Sequence, residues 1–384
     1  MSEQINIPEL RFPGFHGEWK NKRIKELVEI KYGRDQKSIA CENGKFPILG
    51  TGGEIGRTNE YIYNKPSVLI GRKGTIDNPK YIDTPFWTVD TLFYTEVFDS
   101  TIAKWLFYKL GTINWYLYNE ASGVPSLSSS TIYNISITTP SLPEQQKIAS
   151  FFTAIDRKIS QLKQKKTLLE QYKKGVMQKI FSQEIRFRDD NGQEFPMWEK
   201  KRLGEISERN QNKNKKNTET KVLTNSAVNG IVLQSEYFDK NIANQNNLLN
   251  YYIVEIDDFV YNPRISVHAP VGPIKRNHIG IGVMSPLYSV FKFTEGLLDF
   301  FELFFSTTHW HEYMKSIANY GARSDRMNIT TKDLYNMPIP FPSLAEQAKI
   351  ANFLSSIDNK INHTQIQIEK AELWKKGLLQ KMFV

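Results

Sequence analysis

The sequence is poor in the residues that most chemistry needs. It has one cysteine, Cys41, in 384 residues. That excludes an internal disulfide and suits a reducing compartment such as the cytosol. With no local signature around it, the thiol reads as unreactive. No apolar run approaches about 18 residues, so no membrane span is expected. The opening stretch MSEQINIPELRF has no basic region followed by an apolar one, so a secretory leader is not expected. Catalytic motifs are absent too. LGTGGEIGRT at 49–58 lacks the P-loop spacing, with Arg57 in place of lysine and Ile55 breaking GxGxxG, and it reads as a turn. YNPR at 261–264 has Arg264 where an adenine methyltransferase loop needs a second proline and an aromatic, and no glycine-rich cofactor loop accompanies it. Glu29-Ile30-Lys31 has no upstream aspartate to complete a nuclease pattern. His309 and His311 flank Trp310 in a helical stretch, where i and i+2 diverge, so no metal pair is expected. No catalytic and no metal residues are assigned.

What the chain has is duplication. PSLPEQQKIASFFTAIDRKI starts at Pro140 and PSLAEQAKIANFLSSIDNKI at Pro342, an offset of 202. The match runs without a gap to Phe181 and Phe383, and 20 of the 42 pairs are identical, which chance does not produce. A weaker match joins Trp19, Arg23, Ile24, Glu26 and Leu27 to Trp198, Arg202, Leu203, Glu205 and Ile206, at an offset of 179. The chain is two copies of one unit, each with an opening segment, a body and a closing segment. The second body is longer by 23 residues, the difference of the two offsets.

The closing segments read as helices. Ile148, Phe152, Ile155, Ile159, Leu162 and Leu169 alternate steps of four and three, with Lys166 filling one position; Ile350, Leu354, Ile357, Ile361, Ile368 and Ala371 repeat the stripe. That spacing is a coiled-coil seam. Ser141 can cap the first helix, with Glu144 completing a capping box. From Glu144 to Phe181 the helix spans about 55 Å. Each helix could pack only on its own domain; the matching seams favour antiparallel pairing of the two.

The bodies share an order of elements and little sequence. PSVLIGRKGTI and PFWTVDTLFYTEVF read as strands, as do DDFVYNPRISV and IGVMSPLYSVFKF. A helical stretch follows in each, then a Gly/Ser/Arg-rich loop and a short strand. Residues 211–222, NQNKNKKNTETK, read as an exposed loop.

A net charge of +9 fits a polyanion partner. The first closing helix adds Lys147, Arg157, Lys158, Lys163, Lys165, Lys166, Lys173, Lys174 and Lys179 against three acids, a face for phosphates or for solvent. Two copies in one chain build an approximate symmetry like that of duplex DNA, with halves free to differ. The paired helices would act as a ruler between two readers.

On these residues the chain resembles the specificity subunit of Type I restriction-modification systems. The Pro-x-x-x-Glu-Gln-x-x-Ile-Ala run, present from Pro140 and again from Pro342, carries the resemblance, with Trp19 and Trp198 in their basic flanks. It implies an α+β fold: two similar α/β target recognition domains, 1–140 and 184–341, separated by two long antiparallel helices forming a coiled coil, 141–183 and 342–384, in a pseudo-two-fold internal repeat. It also implies a non-catalytic chain that reads a bipartite target on double-stranded DNA and docks two methyltransferase subunits, with motor-nuclease subunits joining for restriction. S-adenosylmethionine, ATP and magnesium would belong to those partners. The other reading is a stand-alone DNA-binding or scaffold protein.

Arg or Lys on guanine and Asn or Gln on adenine are the expected base contacts in the major groove. The candidates are Arg72, Lys73, Thr75, Ser126 and Ser128 in the first domain, and Arg264, Lys275, Arg276, Arg323, Ser324 and Arg326 in the second. Each could equally contact phosphate.

Overall fold

A computed structural model describes residues 6–237, 245–319 and 325–384. Contacts divide the chain into two units, residues 1–165 with 364–384, and residues 166–363. The divisions fall inside the two long helices, Leu142–Phe181 and Leu344–Met382, so each unit holds one globular body and half of each helix. Among the described residues no helix is long and apolar enough to cross a membrane.

In the first unit the opening strand Lys20–Arg23 pairs antiparallel with the closing strand Ser136–Thr139. Between them lies a four-stranded antiparallel sheet, in the order Val28–Tyr32, Leu92–Val97, Ser67–Gly71, Lys80–Ile82. Ser67–Gly71 is buried along its whole length, as its β-branched run requires. Its alternate side chains split between two cores. Val68 and Ile70 join Trp19, Trp105 and the long helices, and Leu69 joins Phe86, Leu92 and Tyr94. Of the stretch at 49–58, which reads as a turn, only Thr51 and Gly52 form one; Gly53–Thr58 is a strand paired with Phe46–Gly50.

The second unit repeats the plan. Glu199–Arg202 pairs with Pro338–Phe341, and a four-stranded antiparallel sheet runs Ser207–Arg209, Ser289–Phe293, Phe259–Tyr261, Ile274–Arg276. A hairpin of Leu223–Ser226 with Gly230–Leu233 stands where the first unit has Phe46–Gly50 with Gly53–Thr58. The segment 211–222 is largely exposed, anchored by buried Asn214, whose Nδ2 donates to the Glu219 carbonyl at 2.7 Å. His309 sits in the turn before the helix His311–Ile317, its ring against Phe181.

The long helices pair with each other, and they pack on the globular bodies as well, so the reading in which each packs only on its own domain does not hold. In the first unit Ile148, Phe152, Ile155 and Ile159 pack with Leu378, Met382 and Phe383 in the same core as the globular body. In the second, Met177, Ile180 and Phe181 do so with Ile350, Leu354 and Ile357. Each fully buried side chain of this size contributes about 1.5–3 kcal/mol. The polar contacts fix an antiparallel sense. Asp156 takes Lys375 at 2.6 Å and Lys163 takes Glu372 at 2.6 Å in the first unit; Lys173 takes Asp358 at 2.6 Å in the second. Asp156 and Asp358 are equivalent in the repeat, as are Lys173 and Lys375. Each copy's aspartate therefore takes the other copy's lysine, the exchange that self-complementary pairing produces. Lys163, Lys166 and Lys173 of the basic helix face are thus engaged by carboxylates, Lys166 by Glu170 at 3.7 Å.

The duplicated Glu-Gln is explained by what it holds. The capping box expected for Glu144 does not form, because a stronger partner takes the carboxylate. Arg11 Nε and Nη2 donate to its two oxygens at 2.7 and 2.8 Å, and Glu144 is 1% exposed. Arg186 grips Glu346 likewise, at 3.2 and 2.8 Å. Gln145 accepts from the Ile102 amide at 2.9 Å and donates to the Pro140 carbonyl at 3.1 Å; Gln347 does the same with Leu297 at 2.8 Å and Pro342 at 2.9 Å. The pair thus ties each long helix to an opening arginine and to the start of a shorter helix, Ala103–Leu110 or Leu298–Phe305.

One buried cation breaks the match. Lys109 is 7% exposed and donates to Thr138 Oγ1 at 3.3 Å and to the Val384 carbonyl. Burial pushes its ammonium down to about 8. Below that pH both folded and unfolded chains carry the proton and the burial cost is fully present. As pH rises from about 8 towards the unfolded value near 10.5, the folded state releases its proton first and the cost, about 3 kcal/mol, is lifted. Denaturant melts of the wild type and Lys109→Met should therefore converge between pH 8 and 10.5. A gap independent of pH would contradict this.

Candidate nucleic-acid interface

Each unit brings two loops together at one end of its sheet. In the first, the loop that leaves Ser67–Gly71 meets the segment before the helix Ser129–Asn134. Leu127 N donates to the Arg72 carbonyl at 2.9 Å, Gly74 N donates to the Pro125 carbonyl at 2.9 Å, and Lys73 and Ser126 face each other in an antiparallel bridge. In the second, Met327 N donates to the Pro263 carbonyl at 3.0 Å, Ile265 N donates to the Asp325 carbonyl at 3.0 Å, and Arg264 faces Arg326. The backbone pattern is the same and the side chains differ, as two readers on one scaffold require.

The bases of both loops are pinched by glycine. A Cβ on Gly71 would lie 2.0 Å from the Thr75 carbonyl oxygen. On Gly272, which has φ +78°, it would lie 2.1 Å from the Asn262 carbonyl oxygen. No side chain fits either approach.

Four of the sequence candidates therefore meet in pairs, Lys73 with Ser126 and Arg264 with Arg326. Lys73 and Thr75 are both exposed. Arg72 is half-buried; its Nη1 donates to the Asp90 carbonyl at 3.1 Å, and its guanidinium lies 5.4 Å from the Tyr32 ring centre. Ser128 caps the helix Ser129–Asn134, accepting from Thr131 N at 3.2 Å and donating to Glu120 at 2.7 Å. Hydrogen bonds from Thr131 and then Ser128 hold the Glu120 carboxyl below its ordinary range. Thr330, equivalent to Ser128 in the repeat, caps the helix Thr331–Tyr335 in the same way.

In the second unit Arg276 is committed inside the domain, at 2.6 Å from Asp257 and Asp299 and 3.5 Å from Glu302. Lys275 next to it is half-buried, and burial lowers its ammonium pKa. Arg323 and Ser324 lie outside the described residues.

The electrostatics single out Arg264 and Arg326. Like charges directly opposite on paired strands destabilise a sheet. One carboxylate, Asp325, lies 3.5 Å from Arg264; the arginine side chain is 62% exposed and the aspartate 46%. Two cations against one acid leave a place where a further anion, or a pair of acceptors such as guanine O6 and N7, is favoured.

Sequence reasoning missed Arg11, Arg186 and the buried tryptophans Trp115 and Trp310. Glu-x-Arg-Phe stands at Glu9–Phe12 and again at Glu184–Phe187, an offset of 175 that could have revealed the arginines. The two phenylalanines also correspond, since Phe12 meets Phe151 and Phe187 meets Phe353, each at 5.3 Å. Trp115 Nε1 donates to the Leu110 carbonyl at 3.0 Å and Trp310 Nε1 to the Phe305 carbonyl at 3.3 Å, five residues back in both cases.

A family profile described as Type I restriction modification DNA specificity domain matches twice, over residues 16–171 and 197–371. Among curated proteins, the chain is 26% identical to the Type I restriction enzyme MjaVIII specificity subunit of Methanocaldococcus jannaschii, over 97% of this chain and 94% of that one. It is 25% identical to the EcoDI specificity subunit of Escherichia coli over 40% of this chain and 34% of that one. Among solved structures, the Type-I restriction-modification S subunit from M. genitalium shares the fold, with a TM-score of 0.59, 16% identity, and coverage of 98% of this chain and 99% of that chain.

Proposed function

The chain belongs to the family of Type I restriction modification DNA specificity domains, and on that premise we propose that it reads a bipartite DNA target, one half with each unit. The observation that carries the reading is the shared loop junction, which presents Lys73 and Ser126 in one unit and Arg264 and Arg326 in the other. Lys73, Thr75, Arg264 and Arg326 are the side chains proposed to meet DNA first. Arg72 and Ser128 support the loops from within. Arg276, held by three acids, would hold the shape of its domain while the exposed arginines touch DNA. Arg323 and Ser324 extend the same segment in sequence and remain proposed contacts.

In this reading the chain performs no chemistry. A methyltransferase must take its adenine out of the duplex, so a separate reader holding the DNA in register is needed. The two long helices, each continuous through parts of both units, dock two methyltransferase subunits and set the spacing of the half-sites. Motor-nuclease subunits join for restriction. S-adenosylmethionine, ATP and magnesium are placed in those partners, and the assembly works in the cytoplasm.

Methylated adenines mapped in a host with and without this chain test the proposal. A split motif methylated only when the chain is present, with a methyltransferase co-purifying on it, is expected. DNA binding with no methyltransferase partner and no change in methylation would favour a stand-alone reader instead.

A further inference from the structure

The loop 262–273 of the second unit carries an apolar side chain that folding does not use. Val267 is 94% exposed, more than any other large apolar residue among those described. It sits at the tip of a tight turn. Ser266 and Ala269 exchange backbone hydrogen bonds at 3.0 and 3.1 Å, which leaves Val267 and His268 as the two central residues. Neither central residue takes a positive φ, so the turn tolerates a valine but does not call for one. Nor does packing. In the first unit's matching loop the apolar residue, Ile76, is fully buried.

The turn is held from below. Asn262 N donates to the Pro273 carbonyl at 3.0 Å. The buried Asn225 donates to the carbonyls of Val260 and Pro273 at 2.7 and 3.2 Å, and Asn262 Nδ2 donates back to the Asn225 carbonyl at 3.0 Å. Tyr261 OH donates to the Val271 carbonyl at 3.0 Å. The loop thus presents Val267 from a closed base, three residues from the exposed Arg264.

We propose that Val267 packs on the C5 methyl of a thymine in the half-site read by the second unit, and sets the choice of thymine over cytosine at that position. In the major groove the thymine methyl is the one apolar feature among base edges, and a branched aliphatic side chain complements it. Arg264 on the same loop would supply the charge that seats the loop. The inference rests on the DNA-reading role proposed above.

The test uses the full chain with its methyltransferase partner and duplexes carrying its target. Each thymine of that half-site is replaced in turn by deoxyuridine, which removes only the methyl. One position should weaken binding about fourfold, the worth of one buried methyl group. In Val267→Ser, which alters an exposed side chain and leaves the fold alone, the same replacement should have no effect. A half-site without thymine, uniform insensitivity to deoxyuridine, or an equal loss in Val267→Ser would overturn the assignment. Arg264→Ala separates the levels. If it weakens binding while deoxyuridine does not, Val267 alone is excluded. If neither matters, the loop does not read DNA.

Discussion

Replacing Glu144 by alanine is expected to remove about 3–5 kcal/mol from the stability of the first unit, the cost of stripping one partner from a buried ion pair. Glu144 is 1% exposed and Arg11 14%. Without the carboxylate, the guanidinium keeps the Gly17 and His16 carbonyls but loses its two charge-assisted bonds. Domains of this size are stable by about 5–15 kcal/mol, so the loss is a large fraction of the total. Urea melts followed by the fluorescence of buried Trp19, Trp105 and Trp115 would report it. Glu346→Ala should produce a similar loss in the second unit, where Arg186 is 22% exposed. A loss below about 1 kcal/mol, the worth of a surface pair, would show that the duplicated glutamate is not the latch described.

The second large effect is expected from Gly272→Ala. The substitution places a side chain at φ +78° and 2.1 Å from the Asn262 carbonyl oxygen. The left-handed backbone alone costs about 1–2 kcal/mol, and the contact must be relieved by opening the base of the loop. That would displace Arg264 from Arg326. Loss of one good base contact, about 1–3 kcal/mol, corresponds to roughly a 5- to 150-fold fall in affinity for the target. Gly230→Ala is the control. It has φ +70° with nothing within 4 Å, so it tests backbone strain without the clash. Binding reduced equally by both variants would mean that the loop base plays no special part.

The long helices were legible because their seam is periodic and occurs twice. Their pairing followed from the match itself, since two similar stripes in one chain can cover each other; the antiparallel sense is fixed by ion pairs such as Asp156 with Lys375 and Lys173 with Asp358. The role of Glu144 was not legible from local rules. A glutamate three residues after a serine reads as a capping box, but an arginine 133 residues earlier in the chain takes it. Glu26 and Glu205 do reach back to the Arg23 and Arg202 amides, at 2.8 and 2.7 Å, where no tertiary partner competes. The short helices Ser129–Asn134 and Thr331–Tyr335 were hidden in stretches rich in Ser, Thr and Asn, which read as loop until the capping hydroxyls of Ser128 and Thr330 are seen in place.

Site residues divide along the same line. Lys73 and Arg264 fall in stretches that read as strands; the strands end at Gly71 and Tyr261, which leaves both cations on loops. Their junctions with Ser126 and Arg326 join segments more than fifty residues apart, and no local pattern announces them. Arg276 looked equally available in the sequence. The carboxylates that hold it, on Asp257, Asp299 and Glu302, come from elements that only folding assembles.

The most direct test of the two-reader account is an exchange of the first body. Residues 20–130 are replaced by those of a relative with a different target, and methylated adenines are mapped across the host genome. One half of the split motif should change to the relative's, with the other half and the spacing kept. A motif altered in both halves, or in neither, would contradict the assignment of one half-site to each unit.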